Sequence, residues 1–285
     1  MTGGLLIDKP AGWTSHDVVA VVRRQLGTRR VGHAGTLDPF ATGLLVVLVG
    51  KATRLARFVE GLPKRYDAVI RFGSATDTDD STGAVTQAMT PAIWPDAALV
   101  AAAAASFTGV YAQRPPAYSA KHVAGTRSHV LARRGEAVEL AARDVTVHAI
   151  DLGEWTPPDL TLQAMVSRGT YVRVLARDLG ERLGIPAHCA ALRRTAIGPF
   201  DVAAAVAPEP IDRSRLLSPA ALLPELPCEV LETAALRDVA MGRSVPQRES
   251  HDGPGALLGE DGHLAAVANG RAGRWLPEVV LEEMT

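Results

Sequence analysis

The sequence predicts an α+β protein with a small, mostly β unit at its carboxyl end. Three patterns carry this expectation. Residues 66–72 and 160–166 alternate apolar and polar side chains at the period of a strand, whereas residues 15–26 and 172–183 repeat apolar positions at the period of a helix. From about residue 226 onward, short apolar runs alternate with glycines.

Taken in order, Leu5-Leu6-Ile7-Asp8 reads as a strand ended by the turn Lys9-Pro10-Ala11-Gly12. Ser15 is a good N-cap, and Val18, Val22 and Leu26 form one stripe of the helix it starts, which Gly27 ends. Leu44 to Val49 is an unbroken apolar run between two glycines, the mark of a buried strand. Tyr66 opens the next strand, with Ala68, Ile70 and Phe72 on its buried face. Ser74 to Gly83 is polar enough to be a loop, with the acids Asp77, Asp79 and Asp80 facing solvent. An alanine run, Ala101 to Ala105, favours helix within 91–108.

Pro115 and Pro116 exclude helix and central strand, which leaves an exposed arm over about 112–144. Strands follow at 145–150 and 160–166. After Gly169 a helix carries Val172, Leu175, Ala176, Leu179 and Leu183 on one face, placing Arg173 and Arg177 on its polar side. Prolines at 208, 210, 219, 224 and 227 mark a connector, so the chain divides into residues 1–225 and 226–285.

The two cysteines, Cys189 and Cys228, have neither zinc-ligand nor C-x-x-C spacing, which fits a reducing cytoplasm. No secretory signal or membrane-length apolar run is present, so a cytoplasmic protein without a membrane partner is expected. The net charge of −1 hides a split. Residues 1–75 carry 11 Lys/Arg against 5 acids and residues 168–194 carry 6 against 2, while residues 225–285 carry 5 against 11. A polyanion would dock on the first two regions.

Familiar cofactor sites are missing. Gly43 to Thr53 ends like a phosphate loop, but six apolar residues separate its glycines. The scattered histidines lack ligand spacing, and neither metal nor cofactor is expected. A monomer is expected as well.

The densest cluster of unusual residues is Gly32-His33-Ala34-Gly35-Thr36-Leu37-Asp38-Pro39-Phe40-Ala41-Thr42-Gly43. Its glycines and proline fix the backbone, and Pro39 pushes Asp38 toward an extended conformation. This stretch, with Leu5-Leu6-Ile7-Asp8-Lys9-Pro10-x-Gly12-x-Thr14-Ser15 and Lys64-Arg65-Tyr66, resembles the bacterial tRNA pseudouridine-55 synthase (TruB) family. Further matches in the family's order are Gln113-x-Pro115-Pro116-x-Tyr118-Ser119-Ala120, Gly169-Thr170-Tyr171-Val172-Arg173, Asp178-Leu179-Gly180, Ala187-His188 and Leu192-Arg193-Arg194-Thr195.

The resemblance implies a mixed, mainly antiparallel sheet flanked by helices, and isomerisation of a T-loop uridine of tRNA without a cofactor. It assigns Asp38 as nucleophile, Arg173 as its ionic partner, and Tyr66 as the residue stacking on the flipped uracil. His33 would contact the vacated space; Tyr171 and Leu192 would line the pocket. Candidates for RNA backbone contacts are Lys9, Arg23, Arg24, Arg29, Arg30, Lys64, Arg65, Arg193 and Arg194. Gly255-Ala256-Leu257, Leu264 to Ala268 and Trp275 resemble a PUA-type RNA-binding domain.

The chain departs from the family pattern in the arm. Lys121 precedes the position where the family often has lysine, His122 fills that position, and His129 replaces an aromatic residue. Two other classes stay open. A binding module would not need Asp38, Tyr66 and Arg173 together, and a hydrolase using Asp38 would release free base.

Overall fold

The structure, a computed structural model, describes residues 1–116 and 140–282, with the backbone of 122–123 and 126–127. Lys121, His129 and the side chain of His122 lie outside the described residues, as does most of the arm.

The strands in chain order are β1 (Gly3–Lys9), β2 (Val31–Ala34), β3 (Thr42–Val49), β4 (Lys64–Phe72), β5 (Ser74–Thr76) and β6 (Val85–Ala88). Next come β7 (Gly109–Gln113), β8 (His122–Val123), β9 (Thr126–Arg127), β10 (Arg143–Thr156), β11 (Asp159–Val166), β12 (Ala187–Ile197) and β13 (Phe200–Asp201). The helices among the described residues are α1 (Ser15–Leu26), α2 (Ala56–Gly61), α3 (Ala97–Ala105), α4 (Val172–Leu183) and α5 (Thr233–Ala240).

The central sheet has nine strands in the order β1-β3-β12-β4-β11-β10-β7, with β2 added to β3 and β13 to β12. Only β3 and β12 pair in parallel, through Arg193 opposite Thr42 and Arg194 opposite Gly43; the other pairs are antiparallel. This is the mixed, mainly antiparallel sheet that the family resemblance implied. Gly43 permits the parallel junction: it has φ +105°, and a Cβ there would stand 2.2 Å from the Arg194 carbonyl oxygen.

Packing explains the sequence patterns. On β4, Tyr66, Ala68, Ile70 and Phe72 face a core shared with Leu160, Leu162, Val172, Leu175 and Leu179, under α3 and α4. The opposite face of β4, with Asp67, Val69 and Arg71, is half-buried to exposed, which produces the alternation. The run Leu44–Val49 does not alternate because β3 is covered on both sides. Leu45, Val47 and Val49 pack under α1, while Leu44, Val46 and Leu48 pack against α2 and the carboxyl-terminal sheet.

That second sheet has five strands, in the order β14-β16-β17-β18-β15. They are β14 (Cys228–Val230), β15 (Val245–Pro246), β16 (Gly253–Leu258), β17 (Leu264–Arg271) and β18 (Arg274–Val280). The sequence reading of a mostly β carboxyl-terminal unit therefore holds for its elements. No helix among the described residues is long and apolar enough to cross a membrane.

Three local expectations are corrected. Thr14, not Ser15, caps α1: its hydroxyl accepts from the Asp17 N–H, and the Asp17 carboxylate accepts from the Thr14 N–H. Ser15 is thereby free for another task. Asp79 and Asp80 are buried instead of facing solvent, and Arg173 is buried instead of lying on a solvated helix face. The cause is common to both: the loop 77–80 is bonded to β12, with the Cys189 N–H donating to the Asp79 carbonyl, and there it meets α4, where Arg173 donates to the Thr78 carbonyl and Arg177 pairs with Asp79.

Candidate active site

Asp38 sits in the turn between β2 and β3, which is held by groups from distant segments. Ser15 Oγ accepts from the Leu37 N–H at 3.0 Å and donates to the Leu37 carbonyl at 3.2 Å. The Gly12 N–H and the Lys9 ammonium both donate to the Pro39 carbonyl, at 2.8 and 3.3 Å. On the other flank, Arg194 donates to the carbonyls of Gly35, Thr36 and Leu44 at 3.1, 3.3 and 2.7 Å. Asp38 therefore projects from a backbone anchored before and after it.

The Asp38 carboxylate meets Arg173, whose Nε is 3.1 Å from Oδ2. Burial raises the Asp38 pKa above the ordinary carboxylate value; Arg173 opposes that rise and Asp80 adds to it. Arg173 also donates from Nη1 to the Thr78 carbonyl at 2.8 Å, and the same nitrogen lies 3.9 Å from Asp80 Oδ2. The other Asp80 oxygen accepts from the hydroxyls of Thr78 and Thr82 and from the Thr82 N–H, at 2.8, 2.6 and 2.9 Å. A buried guanidinium thus stands between two carboxylates, one open and one enclosed.

Helix α4 delivers Arg173 from its first turn. Its cap residue Tyr171 makes no side-chain capping bond. Gln113, buried at the end of β7, substitutes: Oε1 accepts from the Tyr171 N–H at 2.8 Å, and Nε2 donates to the Tyr171 carbonyl at 3.1 Å. The Arg173 guanidinium lies 5.7 Å from the centre of the Tyr171 ring.

Tyr66 and Leu192 belong to the buried cluster that contains Leu37 and Val172, the neighbours of Asp38 and Arg173 in the chain. His33 stands on β2, and burial, with His16 and Arg194 nearby, depresses its pKa to about 4. An open groove of about 820 Å³ is lined by Leu192, Phe40, Asp67, Val69, Gln163 and Arg193 among others, but not by Asp38, Tyr66 or Arg173. It meets the Asp38 region at Phe40 and Leu192.

The RNA-backbone candidates separate by burial, with Arg193 half-buried between an exposed and a buried group. Arg23, Arg24, Arg29, Arg30 and Arg65 are exposed. Arg23 donates to the Val31 carbonyl at 2.8 Å, Arg24 pairs with Glu209 at 2.5 Å, and Arg193 pairs with Asp8 at 2.7 Å. Lys9, Lys64 and Arg194 are corrections: all three are buried. Lys9 donates to three carbonyls and Lys64 to two, those of Glu60 and Leu62, and burial lowers each lysine's pKa to about 8. Such groups brace the fold and offer no free charge to a phosphate.

Asp80, Asp79 and Gln113 are what the sequence reading missed as site residues. Asp79 pairs with Arg177 at 3.1 Å, beside Asp178. The only local signal was three acids within four residues, which points equally to a solvated loop.

Residues 23–172 match the TruB family pseudouridylate synthase (N terminal domain), and residues 173–217 match the tRNA pseudouridylate synthase B C-terminal domain. Across 98% of both chains, the sequence is 45% identical to tRNA pseudouridine synthase B of Thermobifida fusca. The chain belongs to the TruB family of pseudouridylate synthases. It is accordingly an isomerase. A second relative, from Paenarthrobacter aurescens, carries the same name and is 45% identical over 90% of this chain and 83% of its own. Among solved structures, a Cbf5-Nop10-Gar1 complex matches with TM-score 0.72 and 25% identity, over 94% of this chain and 78% of that one. An archaeal Nop10-Cbf5 complex matches in fold, with TM-score 0.73 and 23% identity over 98% and 86% of the two chains. The junction between the two TruB matches falls at the start of α4, which packs in one core with strands of the central sheet.

Proposed function

We propose that this TruB-family chain converts a uridine in the T-loop of tRNA to pseudouridine, with Asp38 as nucleophile. The supporting observation is the 3.1 Å pair between Arg173 Nε and Asp38 Oδ2, in which the cation is enclosed and the carboxylate keeps an open side. The reaction detaches uracil at nitrogen, turns it, and rejoins it to the ribose through carbon. The carbon loses a proton and the nitrogen gains one, so atoms and electrons balance without a cofactor.

Each residue has a physical task in this reading. A nucleophilic carboxylate must be ionised, and burial works against that; the guanidinium offsets burial. The target nucleotide leaves the stack at a cost of a few kcal/mol, and the protein recovers that cost by contacts with the flipped base. Tyr66 stacks on the uracil, Tyr171 and Leu192 line its pocket, and His33 contacts the space it leaves. The exposed arginines Arg23, Arg24, Arg29, Arg30 and Arg65 contact RNA phosphates. The arm, which runs between β7 and β10 of the central sheet, grips the loop, and residues 226–285 add contact surface by shape more than by charge.

The test is pseudouridine mapping on an unmodified tRNA transcript incubated with the pure protein. A single new pseudouridine in the T-loop is expected. Conversion elsewhere would overturn the site assignment, and release of free uracil would favour a hydrolase.

A further inference from the structure

We propose that His16 is a positioning residue for His33, an inference that rests on reading His33 as an RNA contact. Residue 33 lies on β2 opposite Val47 of β3, so its backbone is fixed by the sheet. Its ring is not fixed by hydrogen bonding at Nδ1, which is buried without a partner. What meets the ring is the imidazole of His16, edge to face, with centroids 5.8 Å apart and planes inclined at 77°. That is a favourable aromatic geometry, and it constrains the plane of the His33 ring.

His16 is itself well placed to act as a reference point. It is the second residue of α1, between the members of the Thr14–Asp17 capping box. The preceding residue, Ser15, holds Leu37 by both its N–H and its carbonyl. One turn of helix therefore grips both ends of the segment that carries the RNA contact and the nucleophile: His33 through His16, and Asp38 through Ser15 and Leu37. The distance between an RNA-contacting ring and a reacting carboxylate has to be held closely for a flipped nucleotide to reach the carboxylate.

The charged and titratable groups that bear on His33 are His16 and Arg194. Both oppose a proton on His33, consistent with a neutral ring that enters RNA as a flat, uncharged surface. The partnerless Nδ1 is a buried polar group that gains a hydrogen bond only if the ring shifts or RNA supplies one.

A double-mutant cycle tests the pairing. His16→Ala, His16→Phe, His33→Ala and the His16→Ala/His33→Ala double variant are compared with wild type for affinity to a T-stem-loop RNA and for kcat and KM. His16 is exposed, so its replacement leaves the fold intact. His16→Ala should weaken RNA affinity and raise KM by roughly three- to thirtyfold, a value inside the range of coupling between contacting side chains, with kcat nearly unchanged. His16→Phe, which retains a ring edge, should restore affinity, and His16→Ala should have no further effect once His33 is alanine. Equal losses in both backgrounds, a lower kcat at constant KM, or failure of phenylalanine to rescue would each overturn the proposal. Should wild type make no pseudouridine, the functional reading fails separately. The cycle is then scored on affinity alone, and equal affinities for all five proteins would overturn the role of His16.

Discussion

Arg173 and Asp38 form an unequal pair: the arginine side chain is 4% exposed and the aspartate side chain 30%. The cation is held by the protein, and the anion has a free side. Replacing Asp38 by asparagine keeps the shape and removes the nucleophile. Asp38→Asn should bind tRNA close to wild type and yield no detectable pseudouridine. Mapping and a binding assay on one preparation check this, and measurable turnover would remove Asp38 from its role.

Arg173 reaches Asp38, Asp80 and the Thr78 carbonyl from one planar group. A lysine ammonium is a point charge and does not span three acceptors. Arg173→Lys should fold and lose roughly a hundredfold or more in turnover, the scale seen when a preorganised electrostatic contact is removed. Arg173→Ala leaves the buried Asp80 without its cation and should lower stability by roughly 3 kcal/mol or more. Single-turnover rates and denaturant midpoints separate the two effects. Near-normal turnover in the lysine variant would show that the fork is dispensable.

Legibility in the sequence followed the range of the interactions. The strand at 66–72 could be read because one face is buried and the other is not, and that difference is written every second residue. The apolar run of β3 was equally plain, although its cause, cover from α1 on one side and from α2 and the second sheet on the other, lies elsewhere in the chain. Arg173, Asp79 and Asp80 were misplaced because helical periodicity records hydrophobicity, whereas these residues are buried by pairing. Thr78 and Arg173, for example, are 95 residues apart. Lys9, Lys64 and Arg194 were read as surface charge for the same reason. Their partners are backbone carbonyls, which leave no trace in residue type.

Asp79 predicts a pH effect with a definite sign. Burial raises its pKa from 3.8 to about 6, against the opposing pull of Arg177. Between those values the folded state binds more protons than the unfolded state, so this group's contribution becomes more favourable as pH falls through the window. Asp79→Asn does not titrate and tolerates the positive φ of 62° at this position. Wild type should therefore gain on the order of 1–3 kcal/mol relative to the variant between pH 7 and about pH 4. Denaturant midpoints of both proteins across that range check it, and a relative loss in wild type on acidification would contradict the assignment.

The division of the cations predicts different salt behaviour. Arg29 and Arg30 are exposed, whereas Lys9 is buried against three carbonyls. Arg29→Ala and Arg30→Ala should each reduce the slope of log K for RNA against log salt by roughly 0.7–0.9. Lys9→Met should leave that slope unchanged and lower the melting temperature by loosening Pro39. A salt titration of the variants decides between bracing and phosphate contact. A shallower slope in the Lys9 variant would return it to the RNA surface.

Removing residues 226–285 tests whether the second sheet is a separable contact surface. Ala256, Leu264, Val267, Val279 and Leu281 share one core with Leu6, Leu44, Val46 and Leu48 of the central sheet. Lys51 donates to the Leu281 carbonyl at 2.9 Å, Arg54 to the Val280 carbonyl at 2.5 Å, and Arg57 pairs with Glu278. Truncation therefore uncovers one face of β1 and β3, the strand that the Asp38 turn enters. With about 25 cal/mol lost per square ångström of apolar surface exposed, the truncated chain should melt well below the full protein. Where it stays folded, RNA affinity should fall while turnover at saturating RNA persists, because Asp38, Tyr66 and Arg173 all precede residue 226. Calorimetry with single-turnover kinetics separates these outcomes, and a folded truncation without any turnover would place part of the catalytic requirement in the second sheet.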